Sequence, residues 1–229
     1  MSIRIFLLLL YSSLFSLRNL SGQSNYQLGL LPSFNINKSS SNDFEFNLKI
    51  ESRQQLESGV LGESTKSGYD YILTDYTLVA SKDVGLINTI AAGYMLRFRN
   101  NELVHRFIQQ FINVKRLNAL KLAHRISTDQ TITPDEPTSY RLRYRLTTEI
   151  PLNGISADVG EFYLKINNEY LNEFEDGDYD LEIRLIPFLG YKFTDSNKVE
   201  LGVDYRLNSF LKDGTSNRFW LGMNWYLKI

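Results

Sequence analysis

The chain has 229 residues, room for one large domain, with a formal net charge of −1 and no cysteine. That charge excludes an electrostatic footprint for nucleic acid, and the missing thiols exclude disulfides, thiol catalysis and cysteine-bound zinc. Hydrophobic residues at 43% and charged residues at 22% exclude a disordered chain and a helical membrane protein, while only two histidines, His105 and His124, argue against a histidine metal site.

Residues 1–22 read as a secretory signal peptide. Arg4 supplies a positive start, and residues 5–17 are mostly apolar. At about 1.5 Å rise per residue that run is too short to cross a hydrocarbon core of about 30 Å. Ser21, Gly22, Gln23 and Ser24 follow, placing the cut near Gly22–Gln23, although Arg18 and Asn19 are unusual so close to it. A membrane anchor is the alternative. Residues 23–42 form an N-terminal segment holding a candidate extra strand at 26–37, which Pro32 demotes. It is either one more strand or a periplasmic or lumenal piece.

From residue 43 to the end the apolar period is two, the period of a strand. In residues 44–53, Phe44, Phe46, Leu48 and Ile50 oppose Glu45, Asn47, Lys49, Glu51 and Arg53. Residues 104–115 are mixed on both faces and leave the direction of His105 open. His124 alternates with Leu120, Leu122 and Ile126 and should face outward, whereas Ser127 should face inward. In residues 139–150, Arg141, Arg143, Arg145, Thr147 and Glu149 share one face; Tyr140, Leu142, Tyr144, Leu146 and Ile150 share the other. Residues 162–170, 179–193 and 198–208 repeat the pattern, and residues 219–229 alternate to the last residue, Ile229.

Alternation alone also fits a soluble sandwich. The expected strands are long, their apolar faces end in aromatic residues, and the chain closes on a strand; together these features point to an all-β fold, a single antiparallel transmembrane β-barrel over residues 43–229. Terminal strands of this kind serve as outer-membrane assembly signals, though most end on an aromatic residue. Taking the C-terminus as periplasmic places outer loops near residues 55–66, 99–102, 128–138, 173–177 and 212–216, and inner turns near 82–84, 115–118, 152–158 and 195–197. This counts ten strands, with twelve possible if residues 26–37 and an unseen partner join, since single-chain bacterial barrels carry an even number. The inner turns should be short and the outer loops longer.

The inward charges define the candidate lumen: Arg125, Asp129, Arg141, Arg143, Arg145, Glu149, Lys165, Glu169, Glu182, Arg184, Glu200, Asp204 and Arg206, with Lys121 and Asp180 beside them. They read either as a cross-linked polar core or as the lining of a path for a charged solute, and three arginines in a row favour an anionic one. In the packed case Arg143 should pair with Glu149, Glu169, Glu182 or Glu200. A lipid-facing Ser–His hydrolase site would need a serine beside His124; an antiparallel hairpin about residues 115–118 puts Gln109 opposite His124 and His105 opposite Thr128, with no outward serine. No catalytic residue, metal ligand or cofactor is expected.

Several segments resemble, in order and spacing, a family of bacterial outer-membrane barrels catalogued as domain of unknown function 2490. They are His105-Arg106-Phe107-Ile108-Gln109-Gln110; His124-Arg125 with Asp129-Gln130; Tyr140-Arg141-Leu142-Arg143-Tyr144-Arg145; Glu169; Arg184 with Gly190-Tyr191-Lys192-Phe193; and Val199-Glu200-Leu201-Gly202. The likeness runs from about Leu28 to the C-terminus, and it implies a barrel without assigning an activity, cofactor or catalytic residue. The expected role is therefore an outer-membrane β-barrel, structural or passing small solutes, with anionic ones favoured by the three arginines. A lipid-modifying enzyme and an adhesion or binding scaffold are the alternatives. Expected partners are outer-membrane lipid, the outer-membrane assembly machinery through the C-terminal strand, and a small solute, but not nucleic acid.

Overall fold

The computed structural model describes residues 25–40, 43–60, 63, 65–118, 120–212 and 214–229. The proposed signal peptide lies outside the described residues. The described chain is all strand and connection, in eleven strands: β1 Asn25–Ser39, β2 Phe44–Val60, β3 Thr65–Asp83, β4 Asn88–Arg99, β5 Glu102–Leu117, β6 Leu120–Ile132, β7 Ser139–Pro151, β8 Phe162–Glu175, β9 Asp178–Lys192, β10 Asn197–Asn208 and β11 Ser216–Lys228. Each pairs antiparallel with its neighbours in sequence, and β1 closes the barrel against β11 in parallel.

The strand count corrects the expectation of ten or twelve. The segment at residues 23–42 supplies β1, which pairs with β11 from Asn25↔Ser216 to Asn37↔Lys228. An odd number of strands forces one parallel seam, and an open sheet would instead leave two rows of backbone groups unpaired. The alternation of β1 suits both neighbours: Leu31, Ser33 and Asn35 are buried inside while Leu28 is exposed outside. Pro32 is tolerated because the β1–β2 pairing lapses there, between Leu30↔Gln54 and Ser33↔Glu51, so its missing N–H costs little.

The expected contrast between short and long connections is absent. Asn100–Asn101 and Asp176–Gly177 are two-residue turns with left-handed backbone at both positions (φ 49° and 63°; 48° and 82°), the geometry that matches strand twist in hairpins. The longest connection, residues 152–161, lies at the end of the barrel that also holds the C-terminus. The outer loop expected at residues 55–66 shrinks to the interval between Val60 and Thr65. Polar residues there still form strand, with Gln54, Gln55, Glu57 and Ser58 pairing Tyr71, Asp70, Ser67 and Lys66 across two irregularities in register.

Polarity is inverted relative to a water-soluble domain. Glu169 and Glu200 are fully enclosed, whereas Leu78, Leu201 and Leu221 are more than half exposed. Every strand presents an exposed large apolar or aromatic side chain outward, from Leu28 on β1 to Trp225 on β11. The interior also holds apolar bulk in Leu171, Val104, Ile186, Phe188 and Trp220. Two of the inward aromatics lie flat over neighbouring glycines: a Cβ on Gly29 would sit 2.5 Å from Trp220 Cζ3, and one on Gly190 would sit 2.2 Å from Tyr163 Cζ.

Candidate lumenal site

Strand β7 sets the arrangement. Arg141, Arg143 and Arg145 are two residues apart, so they project into the lumen one above another at a spacing of about 7 Å. Stacked like charges repel, and carboxylates from the flanking strands intercalate between them. Asp129 of β6, the register partner of Arg141, accepts from Arg141 Nε at 2.6 Å and from Arg143 Nη2 at 3.2 Å. Glu169 of β8, the register partner of Arg145, accepts from Arg145 Nε at 2.5 Å and lies 3.6 Å from Arg143 Nε. From β9, Arg184 Nη1 reaches the same Glu169 at 2.9 Å and also bonds Glu182. Four guanidinium groups thus share three carboxylates across four strands. The hydrogen bonds are charge-assisted, one per arginine–carboxylate pair, and leave Arg141 Nη2, Arg143 Nε and Glu169 Oε1 buried without a hydrogen-bond partner.

Two further clusters continue around the wall. Asp204 and Arg206 of β10 form a bidentate pair at 2.8 Å through both contacts. Glu200 receives Lys165 Nζ at 3.0 Å on each oxygen, Tyr163 Oη at 2.8 Å and Tyr226 Oη at 3.2 Å. Lys165 and Lys198 also lie over the ring of Tyr226.

Of the residues expected in the lumen, Arg125, Asp129, Arg141, Arg143, Arg145, Lys165, Glu182, Arg184, Glu200, Asp204 and Arg206 line one interior cavity of about 830 Å³. Glu169 lies behind the arginines, out of contact with that space. Glu149 sits toward the C-terminal end, 3.8 Å from Lys121. For Arg143, the expected set of partners included Glu169 but omitted Asp129, which is on the preceding strand and opposite Arg141. Glu149, Glu182 and Glu200 are engaged elsewhere.

Sequence reading missed other members. Asp75 and Arg97, register partners on β3 and β4, form a bidentate pair at 2.7 and 2.8 Å. Arg106 of β5 is buried, donates to Thr131 at 2.8 Å and stands 3.5 Å from Asp129. These strands carry apolar and polar residues on both faces, so only the hairpin register reveals the inward side.

The two histidines both point outward. His124 Nδ1 is 2.9 Å from Tyr144 Oη, and His105 Nδ1 is hydrogen-bonded to Tyr94 Oη. The β5–β6 register differs from the expected one: His124 faces Asn113, Gln109 faces Thr128 and His105 faces Ile132. Strand β5 runs on to Leu117 and the chain turns at Asn118, whose φ of 49° permits a tight reversal, so every pairing moves along. Gln109, Thr128 and Gln130 consequently bond one another on the outer face.

Charge is graded along the axis. Glu136, Glu173, Glu175 and Asp180 line the cavity toward the end away from the C-terminus, arginines dominate the middle, and Lys49 and Lys165 line it toward the C-terminal end. Among the described residues Arg125 has no ion-pair partner, and its buried Nε has no hydrogen-bond acceptor. The Nε of Arg218 and the hydroxyl of Ser127 are likewise buried and unbonded.

No curated protein and no solved structure matches the chain. The family model described as a protein of unknown function, DUF2490, matches residues 28–219, from the fourth residue of β1 into β11 and thus across the whole ring of lumenal charges. The chain belongs to that family.

Proposed function

We propose that this protein is a non-enzymatic outer-membrane β-barrel whose cationic lumen admits small anionic solutes. The observation that carries the reading is the inversion of polarity: outward apolar side chains on all eleven strands surround fully buried charges. Exposed apolar surface on this scale needs a covering, and a bilayer covers every side of a closed barrel equally. The apolar start of the chain and the amphipathic β11 support export and delivery to an outer membrane, with β11 as the segment that assembly machinery would engage. Arginine in excess of carboxylate at mid-lumen supports admission of anions over cations.

A packed, purely structural lumen is the second reading, favoured by the ion-pair network and by inward Leu171, Phe188 and Trp220. The hydrolase alternative gains no support from the histidines, each of which bonds a tyrosine hydroxyl. Short connections give an adhesion scaffold little surface to work with. The deciding experiment is conductance of the refolded protein in planar bilayers. Discrete, anion-selective current steps support the proposal; a silent barrel that shows the heat-dependent gel mobility of a folded outer-membrane protein supports the packed lumen. Recovery in the soluble periplasm, with no mobility shift on boiling, overturns the membrane reading itself.

A further inference from the structure

We propose that Arg125, Ser127 and Arg143, on adjacent strands β6 and β7, form a binding site for one phosphate-class oxyanion. The inference rests on the reading that the lumen admits small anions, and it assigns the place and chemistry of the occupant.

Register brings the three together. Ser127 and Arg143 are directly opposed, and Arg125 lies one inward position along β6, opposite Arg145. All three line the same cavity. Ser127 is only 2% exposed, and its hydroxyl has no partner. The Nε atoms of Arg125 and Arg143 are also buried without an acceptor. A buried hydroxyl and buried guanidinium N–H groups each cost free energy when unpaired, and such groups normally find a protein, water or ligand acceptor.

The protein's own carboxylates do not satisfy them, and even Glu169 Oε1, which has no hydrogen-bond partner, stands 3.6 Å from Arg143 Nε, beyond hydrogen-bond distance. Asp129 is committed to Arg141, Arg143 and Arg106, and Glu169 to Arg145, Arg184 and Arg143. Arg125 has no carboxylate within ion-pair distance among the described residues, although it faces Arg145 in register. Water can meet the hydroxyl and the Nε groups, but only an anion also offsets the unpaired charge of Arg125. It must also accept from a hydroxyl, which a carboxylate, a phosphate and a sulfate can all do.

Placement of the donors narrows the choice. Arg125 and Ser127 are separated by about 7 Å along one strand, and Arg143 approaches from the next. A carboxylate offers two oxygens in one plane and suits a single guanidinium fork. A tetrahedral oxyanion spreads its acceptors in several directions and meets donors arriving from separate levels and strands. The cavity, at about 830 Å³, has room for inorganic phosphate or for a small phosphomonoester. Lysines at the C-terminal end of the cavity would favour entry from that side.

The test is calorimetric titration of the refolded full-length protein in detergent, at low chloride so that screening is weak. Inorganic phosphate is one probe and a hexose monophosphate is the other. Saturable binding of inorganic phosphate at one site per barrel identifies the free ion as sufficient. Binding of the ester alone assigns the phosphoryl group of a larger solute; either result supports the site. Arg125→Gln should weaken binding roughly tenfold or more, the loss of one charge-assisted hydrogen bond. Ser127→Ala, neutral and nearly isosteric, should weaken it by a smaller factor and covers the case in which Arg125→Gln does not refold. Lys82→Gln, at an exposed position outside the cavity, should bind as the parent does.

Phosphate should also raise the unfolding midpoint of the parent more than that of Arg125→Gln. Titrations showing no uptake of either probe, or equal binding by parent, Arg125→Gln and Ser127→Ala, overturn the site. The titration needs no membrane, so the two readings fail separately. A conducting barrel that binds neither probe loses only this site, and a silent barrel that binds phosphate loses only the conduction.

Discussion

Removing Glu169 tests whether the lumen is a dry, cross-linked interior. Its side chain is fully enclosed and meets Arg145 at 2.5 Å, Arg184 at 2.9 Å and Arg143 at 3.6 Å. In Glu169→Ala, Arg184 keeps Glu182 and Arg143 keeps Asp129, but Arg145 has no other carboxylate among the described residues. One guanidinium charge is stranded. If its surroundings are dry, the loss is about 3–5 kcal/mol; if water fills the lumen, it falls toward ~1 kcal/mol. Glu149→Ala is the internal reference. Glu149 is 26% exposed and 3.8 Å from a Lys121 side chain that is 39% exposed, so its removal should cost no more than about 1 kcal/mol in either case. Urea unfolding in detergent micelles, followed by the fluorescence of Trp220 and Trp225, measures both variants against the parent. Equal midpoints and slopes for Glu169→Ala and Glu149→Ala would refute a dry interior, and the ion pairs described above would then be solvated contacts of little energetic weight.

Three other expectations follow from particular contacts. Leu201, 53% exposed on the outer face of β10, should tolerate no charge in a bilayer, and Leu201→Arg should cost about 2–4 kcal/mol near the membrane midplane in liposome unfolding, where a neutral result would count against lipid contact. Gly202→Ala should destabilise by roughly 1–3 kcal/mol in the same assay, because a Cβ there would meet the Pro187 carbonyl oxygen at 2.0 Å and backbone cannot swing aside as a side chain can. The parallel seam is open to direct chemical proof: Ser33 and Asn224 are register partners whose side chains touch at 2.5 Å, and the chain has no native cysteine, so Ser33→Cys with Asn224→Cys should cross-link within one chain under mild oxidation. Failure to cross-link in a folded barrel would mean that β1 closes the sheet elsewhere.

The alternation in residues 139–150 and 162–170 was sufficient to assign Arg143, Lys165 and Glu169 to the inside and Leu142 and Tyr144 to the outside, because a strand's side chains change face at every residue regardless of its neighbours. The charged, inward character of Glu200 and Asp204 was legible for the same reason. Other features depend on how strands meet, which no single strand encodes. The parallel β1–β11 seam joins the first and last strands, far apart in sequence, so no turn signal announces it. The partnership of Arg143 with Asp129, the pairing of Asp75 with Arg97 and the slip of the β5–β6 register all follow from where hairpins reverse. Local period decides which side of the wall a residue occupies. Only closure of the barrel decides which charge it faces, and so which arginine is left without one.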